Sequence, residues 1–246
     1  MTYRGVLSAP FIFDDTLTIV GNVSLRSLWP LLSFSGGYSP LQAPPETAVY
    51  GRPVVNLSLA LNHHFSGLDP RGFRLTNVVL QVLVALVLAA IVRRTLRLDF
   101  FKSRFVSAAD PLALAAALLW ALHPLNTECV AYITQRCEVM MGLYYLLTLY
   151  LSQLYWSSPD RRARAVWLSL AIVVCQLGMF SKESMASVPA MVLLYERTFL
   201  AGSFRRALGS SWPLYVALAL TWLPLAAFNL HGPRTPVAGF GLGVSG

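Results

Sequence analysis

A small number of residues in this chain could do chemistry, and they fall in four places. Asp14 and Asp15 directly follow the apolar run Phe11-Ile12-Phe13. One carboxylate of such a pair can act as general base while its partner positions a hydroxyl. Neighbours in sequence point apart on a helix or a strand, so both reach one site only at a turn or a helix start. The plainer reading is an N-cap with a first-turn acid, which the helix dipole favours. Arg52-Pro53 opens a segment through Phe65 that reads as a helix with Pro in its first turn. At about 100° per residue, Val54, Leu57, Leu61 and Phe65 share one face, and Arg52, Asn56 and His63 share the opposite one. This predicts an amphipathic helix on a membrane surface with a polar row turned away from it. The third place, 126–138, follows His123-Pro124, with Thr127 as a helix cap. There Glu128, Tyr132 and Gln135 share a side beside Arg136, whereas Glu138 lies about 200° from Arg136 and forms no intrahelical pair with it. The fourth is Ser181-Lys182-Glu183. With Ser181 capping the next helix, Lys182 joins the free N–H groups as an anion site at headgroup level, suited to a lipid phosphate. The plain reading is a snorkelling lysine.

The elements that must hold these groups are set by composition. Hydrophobic residues make up 56% of the 246 residues, charged ones 12%, and the mean hydropathy is +0.58. Soluble domains carry about 25% charged residues, so a soluble globule is excluded. Cys129, Cys137 and Cys175 are too few for a disulfide framework and have no zinc-ligand spacing. A spanning helix needs about 20 apolar residues. The stretches 75–92, 139–156 and 212–230 meet this, 165–180 is slightly short, and 112–125 and 185–200 are weaker, predicting about six spans.

Charge orients them. The segments 93–110, 157–164 and 197–211 hold 11 of the 19 Lys and Arg residues, against four acids. Basic short loops stay cytoplasmic. The +8 net charge is therefore a topology signal, and nucleic acid is excluded as a partner. On this reading 1–74, the loops 126–138 and 181–184, and the tail 231–246 face outward. The apolar patch 5–13 is too short for a signal peptide, so the chain is expected to be a fragment lacking an upstream span and extending further downstream.

The strings FDD, GRPVVNLSLALNHHFSGLDPRGFRLTN, ALHPLNTECVAYITQRCE and SKES, in that order across 11–230, resemble the membrane domain of the transmembrane and tetratricopeptide-repeat protein O-mannosyltransferases, of the GT-C glycosyltransferase superfamily. The resemblance implies an all-α, GT-C-like polytopic helix bundle with a long first outward loop. It also implies a polyprenyl- or dolichyl-phosphate sugar donor, with mannose as the sugar, and a protein Ser/Thr acceptor. Transfer would occur on the periplasmic or ER-lumenal side of a multi-pass membrane protein, with inversion. Asp14 and Asp15 match the acidic motif, one as base and one positioning the acceptor. Arg136, Lys182 and Arg52 match donor-phosphate positions, and His63, Asn56, Glu128, Glu138 and Glu183 line the substrate cleft. No metal ligand is assigned and a divalent metal requirement stays open. The chain departs from the family pattern at Arg74 and Gln81, where relatives often carry His, and at Gln135, where they carry Gly. Repeats of about 34 residues are absent from it. Two other classes compete. A transporter or flippase predicts charged residues inside the spans and an inverted repeat; a non-catalytic scaffold differs only in activity. The expected organisation is 1–74 as outward loop with acidic motif and interfacial helix, 75–230 as bundle and 231–246 as outward loop.

Overall fold

The computed structural model describes residues 7–33 and 37–230. Expectations for 231–246 and for the start of the 5–13 patch lie outside the described residues. Those described form helices and turns without a strand, with one isolated bridge between Ser39 and Gln42.

The helices are α1 (Pro53–Ser66), α2 (Pro70–Leu96), α3 (Ala109–Ala121), α4 (Glu128–Ala131), α5 (Arg136–Ser157), α6 (Arg161–Met179), α7 (Val188–Glu196), α8 (Phe204–Leu220) and α9 (Trp222–Leu230). Local chemistry sets their starts. Asp69 accepts from the Arg71 amide, with Pro70 in the first turn of α2. Asp160 does the same for Ala163 in α6, and Ser203 for Arg206 in α8, whose interior kinks at Ser211 before Pro213. α2 has 27 residues, about 40 Å of helix at 1.5 Å per residue, and ends in Arg93 and Arg94 beside its negative dipole end.

α5 is the central element, packed chiefly on α6 and α2. Its inner face mixes Leu143, Leu149 and Leu151 with Thr148 and Ser152, whose hydroxyls bond back to carbonyls one turn earlier. α3 turns Ala109, Ala113 and Ala117 inward, and the small side chains let α2 approach closely. The outside is apolar: Leu75, Val79, Val82 and Leu86 of α2, Leu114 and Leu119 of α3, and Val216, Leu220 and Leu223 of α8 and α9 are all exposed. A surface of that kind is stable against hydrocarbon and costly in water.

Three segments are long and apolar enough to cross a membrane, Pro70–Leu96, Arg161–Met179 and Phe204–Ala227. They coincide with the expected 75–92, 165–180 and 212–230. The other expected spans fall on helices that miss the criterion. α3 has 13 residues and α7 nine, and α5, at 22, carries Glu138, Gln153 and several tyrosines. The basic residues nonetheless gather at one end of the bundle. Arg94 donates to Ser157 at the end of α5, and Arg164 to the Ser158 carbonyl.

α1 forms as expected but sits differently. Its buried side chains are Val55, Asn56, Leu59 and Ala60, while Leu61 and Phe65 of the expected apolar face are 42% and 82% exposed. Of the polar row, Asn56 turns toward the protein, where it has polar partners, while Arg52 and His63 stay partly exposed.

Candidate active site at the acidic-motif end

The chain ahead of α1 folds onto the N-terminal ends of α2 and α5. Phe13 has φ of +47°, and the turn it makes separates the two carboxylates that follow. Asp14 is exposed and accepts a hydrogen bond of 2.7 Å from the Tyr132 phenol. Asp15 is fully buried. Its Oδ1 accepts from the Thr134 amide and hydroxyl, at 2.8 and 2.7 Å, and Oδ2 from the Ile133 amide at 3.3 Å. Asp15 makes no side-chain cap of its own, so the N-cap reading does not hold. Its oxygens hold the 133–134 turn from more than a hundred residues away, which gives Asp15 a structural part.

Arg136 is enclosed in the same way. Its guanidinium is fully buried. Nε donates to Asn77 Oδ1 at 2.7 Å, Nη1 to the Ser58 carbonyl and hydroxyl, and Nη2 to the Phe73 carbonyl at 2.9 Å. A cation so enclosed and so fully bonded is a strut between α1, α2 and α5, with no face left for a donor phosphate. Arg74 is built the same way. Its Nε donates to the Ala131 carbonyl and its two Nη groups to the carbonyls of Leu7, Ala9 and Pro10, tying the leading segment to α2. Asn77 completes the frame with bonds to the Cys129 and Ile133 carbonyls. Carbonyl dipoles thus solvate two guanidiniums in a region where an unpaired charge would be expensive, and Asp15 adds favourable Coulomb energy to both.

Asn56 is likewise structural. Its amide nitrogen donates to Ser24 Oγ and the Pro40 carbonyl, and its oxygen accepts from Asn22, all while fully buried. Its polar atoms close the 22–40 segment over α1.

The remaining polar groups stay at the surface. Arg52 faces Glu183 at 3.8 Å, and its Nη1 also donates to the Ala48 carbonyl at 3.0 Å and lies 3.6 Å from Cys137 Sγ. Lys182 pairs with Glu138, in the first turn of α5. These side chains keep between 14% and 39% exposure, so a ligand can reach both pairs. Glu128 is exposed and accepts from Gln135 at 3.4 Å, while α4 breaks at Tyr132. His63 is half-buried on α1. Two expected caps differ. Ser181 bonds back to the Leu177 carbonyl and Thr127 to the Pro124 carbonyl, and a five-residue 3-10 turn separates Lys182 from α7. Lys182 therefore acts with Glu138 instead of with a helix terminus.

In the 126–135 connection, two groups are shifted. Burial, then the hydrogen bond to Asp14, raises the Tyr132 phenol, which keeps its proton and remains a donor. Burial and then Glu138 push the Cys129 thiol up to about 11. No set of three His, Cys, Asp or Glu side chains converges among the described residues.

Tyr132 and the Arg74–Asn77 frame had a partial signal in the sequence. An arginine and an asparagine at the start of an apolar span must find internal partners, which makes Arg74 more than a departure from a pattern.

The fold and site define a helical membrane protein whose one end carries an exposed carboxylate and two accessible ion pairs, held over a buried cationic frame. Known sequences give this class its relatives. The chain is 32% identical over 208 residues to protein O-mannosyl-transferase TMTC1 of Mus musculus, covering 80% of this chain and 21% of that protein. It is 30% identical over 199 residues to protein O-mannosyl-transferase tmtc2 of Xenopus laevis, covering 80% and 22%. Protein O-mannosyl-transferase TMTC3 of Homo sapiens is 25% identical over 205 residues, covering 82% and 21%. The chain thus spans about a fifth of the length of the curated relatives it matches. No family profile and no solved structure matches it. The resemblance carried by the four motifs is upheld by these identities: the chain is similar to part of the protein O-mannosyl-transferases.

Proposed function

We propose that the protein of which this chain is part is a glycosyltransferase that moves mannose from a polyprenyl- or dolichyl-phosphate donor to a protein Ser/Thr hydroxyl on the non-cytoplasmic side of a membrane. The observation that carries this reading is Asp14. It is the exposed member of the acidic pair, oriented by Tyr132 and located on the element frame that also presents Arg52 and Lys182. In this reading Asp14 takes the proton of the acceptor hydroxyl as its oxygen bonds to the anomeric carbon. The bond from that carbon to the phosphate oxygen breaks, its electron pair stays on the phosphate, and the configuration inverts. Arg52 and Lys182 balance the charge on the departing phosphate, each exchanging part of its interaction with Glu183 or Glu138 for the ligand. Removing one such contact from a transition state costs about 3–4 kcal/mol. Glu128 and His63 border the acceptor side. The names of the relatives support protein as acceptor and mannose as sugar.

The test is transfer of radiolabelled mannose from polyprenyl-phosphate mannose into peptide by the full-length protein in membranes. Asp14→Asn is expected to abolish transfer with expression and topology intact. Wild-type turnover in Asp14→Asn would remove the proposed base.

A further inference from the structure

At the other end of α2, about 30 Å from Arg74 by helix rise, lies a second cavity, of 510 Å³. That volume is in the range of small-molecule sites, about 300–1,000 Å³. It opens between α2, α5 and α7, and its lining includes Arg94, Arg97, Tyr150, Gln153, Trp156 and Tyr195. Its wall is a parallel stack of Trp156 on Tyr195, with ring centroids 5.9 Å apart and an interplanar angle of 2°.

Two of the side chains that line the cavity each carry a buried polar atom without a partner. Gln153 is only 6% exposed. Its amide nitrogen donates to Thr95 Oγ1 at 3.2 Å and to the Tyr195 hydroxyl at 2.8 Å, which fixes the group, yet its Oε1 is buried and has no hydrogen-bond partner among the described residues. A buried acceptor without a donor has lost its water and gained nothing in return unless something fills the place. Arg94 donates to Ser157 through Nη2 at 2.8 Å and lies over the Tyr150 ring at 5.9 Å, while its Nε is also buried and unpartnered. Arg97 and Arg93 share the single carboxylate of Asp110, at 2.9 and 2.5 Å. Three guanidiniums against one carboxylate leave the mouth positively charged, and Arg94 forms no ion pair among the described residues.

We infer that this cavity is a binding site for a polyol phosphate, the phosphate held by Arg94 and Arg97 and a hydroxyl of the polyol donating to Gln153 Oε1. Anion and hydroxyl are needed together. A bare phosphate would leave the Gln153 oxygen unsatisfied, and a neutral polyol would leave the guanidinium charge without a counterpart. Ala90, Leu98 and Leu200 complete an apolar border that suits the first carbons of an aliphatic chain. Two sources share this chemistry, the headgroup of an anionic inositol or glycerol phospholipid and a soluble polyol phosphate. The site is separate from the acidic-motif end and does not depend on the transfer reaction.

Binding to the full-length protein in neutral detergent tests it, read by native mass spectrometry and by the shift in melting temperature. The probes are dioctanoyl phosphatidylinositol, dioctanoyl phosphatidylcholine and inositol 1-phosphate. Phosphatidylinositol is expected to bind at least tenfold more tightly than phosphatidylcholine. Arg94→Gln should remove that preference, and Arg161→Gln, at an exposed arginine outside the cavity, should keep it. Gln153→Met should weaken the inositol lipid while sparing dioctanoyl phosphatidic acid, which has no polyol to donate. Inositol 1-phosphate matching the lipid would support the site with a soluble ligand, and lipid binding alone would support a headgroup. Equal binding of phosphatidylinositol and phosphatidylcholine, or equal losses in Arg94→Gln and Arg161→Gln, would overturn the proposal. Melting of each variant without ligand shows whether it is folded, and Arg94→Lys, which keeps the charge, must retain the preference.

Discussion

Asp14 and Asp15 differ by one position and by almost everything else, so the same substitution at each should separate catalysis from stability. In Asp14→Asn the exposed side chain keeps an oxygen that accepts from the Tyr132 phenol, and little folding energy is at stake. In Asp15→Asn the remaining oxygen can serve both Thr134 donors, but the new amide nitrogen then meets the Ile133 N–H, donor against donor. The three bonds are made to a charged acceptor, each in the class of about 1.5–3 kcal/mol. Losing the weakest outright and the charge assistance of the other two amounts to about 2–4 kcal/mol. Arg136 and Arg74 also lose their nearest favourable charge, which pushes the cost toward the upper figure. For a domain of this size about 3 °C accompanies each kcal/mol, so the melting temperature should fall by about 6–12 °C.

Thermal unfolding of the full-length protein in detergent, followed by tryptophan fluorescence, measures this directly, alongside mannose transfer in membranes. The expected pattern is crossed: Asp14→Asn melts like wild type and does not transfer, and Asp15→Asn melts early. A melting temperature within 1–2 °C of wild type for Asp15→Asn, well under the shift expected from those bonds, would refute the buried role given to its carboxylate.

Other perturbations follow from the same contacts. Arg136→Met strands the acceptors of Asn77, Ser58 and Phe73 and should cost about 3–5 kcal/mol, with part of that cost shared with Asp15→Asn in a double-mutant cycle read by unfolding. Cys129, with its thiol near 11, should be alkylated by maleimide about tenfold faster for each pH unit between 7 and 10; a rate that levels off near pH 8 would contradict its burial. The Tyr132 phenol is raised above its unfolded value near 10, so its stabilising contribution is complete below that pH and is lost as pH rises beyond it. Melting temperatures of wild type should therefore fall more steeply above pH 10 than those of Tyr132→Phe. Lys182→Met should lower mannose transfer about 10²-fold or more while leaving melting nearly unchanged, because the pair it breaks with Glu138 is partly exposed.

How much of this was legible beforehand depends on the length scale of the signal. Helix positions were, because caps and apolar runs are local: Asp69-Pro70, Asp160 and Pro53 begin α2, α6 and α1 where their chemistry says they should. The clustering of arginines at one end of the bundle was also readable, from charge counts alone. The inside of the site was not. Which of two adjacent carboxylates is buried depends on a positive φ at Phe13 and on a turn at 133–134 more than a hundred residues later, and no spacing rule carries that information. The helical wheel of α1 put Leu61 and Phe65 on the buried face and Asn56 on the outward one, since it could not register that Asn22, Ser24 and Pro40 would fold over Asn56.

One physical rule accounts for these failures together. In a bundle whose outside is apolar, a polar or charged side chain is stabilised by turning inward, the reverse of what amphipathic patterning implies for a protein in water. Arg136, Asn56 and Asp15 were selected as candidates for being polar at the edges of apolar segments, and that same property buries them. The groups left for substrate are the polar ones whose partners are themselves partly exposed. By that criterion Asp14, Arg52 and Lys182 remain, each oriented by its neighbours and still partly exposed. Gln153 meets the complementary condition at the far end of the bundle, buried with one atom unpaired, and so marks a place where the protein's own groups do not suffice.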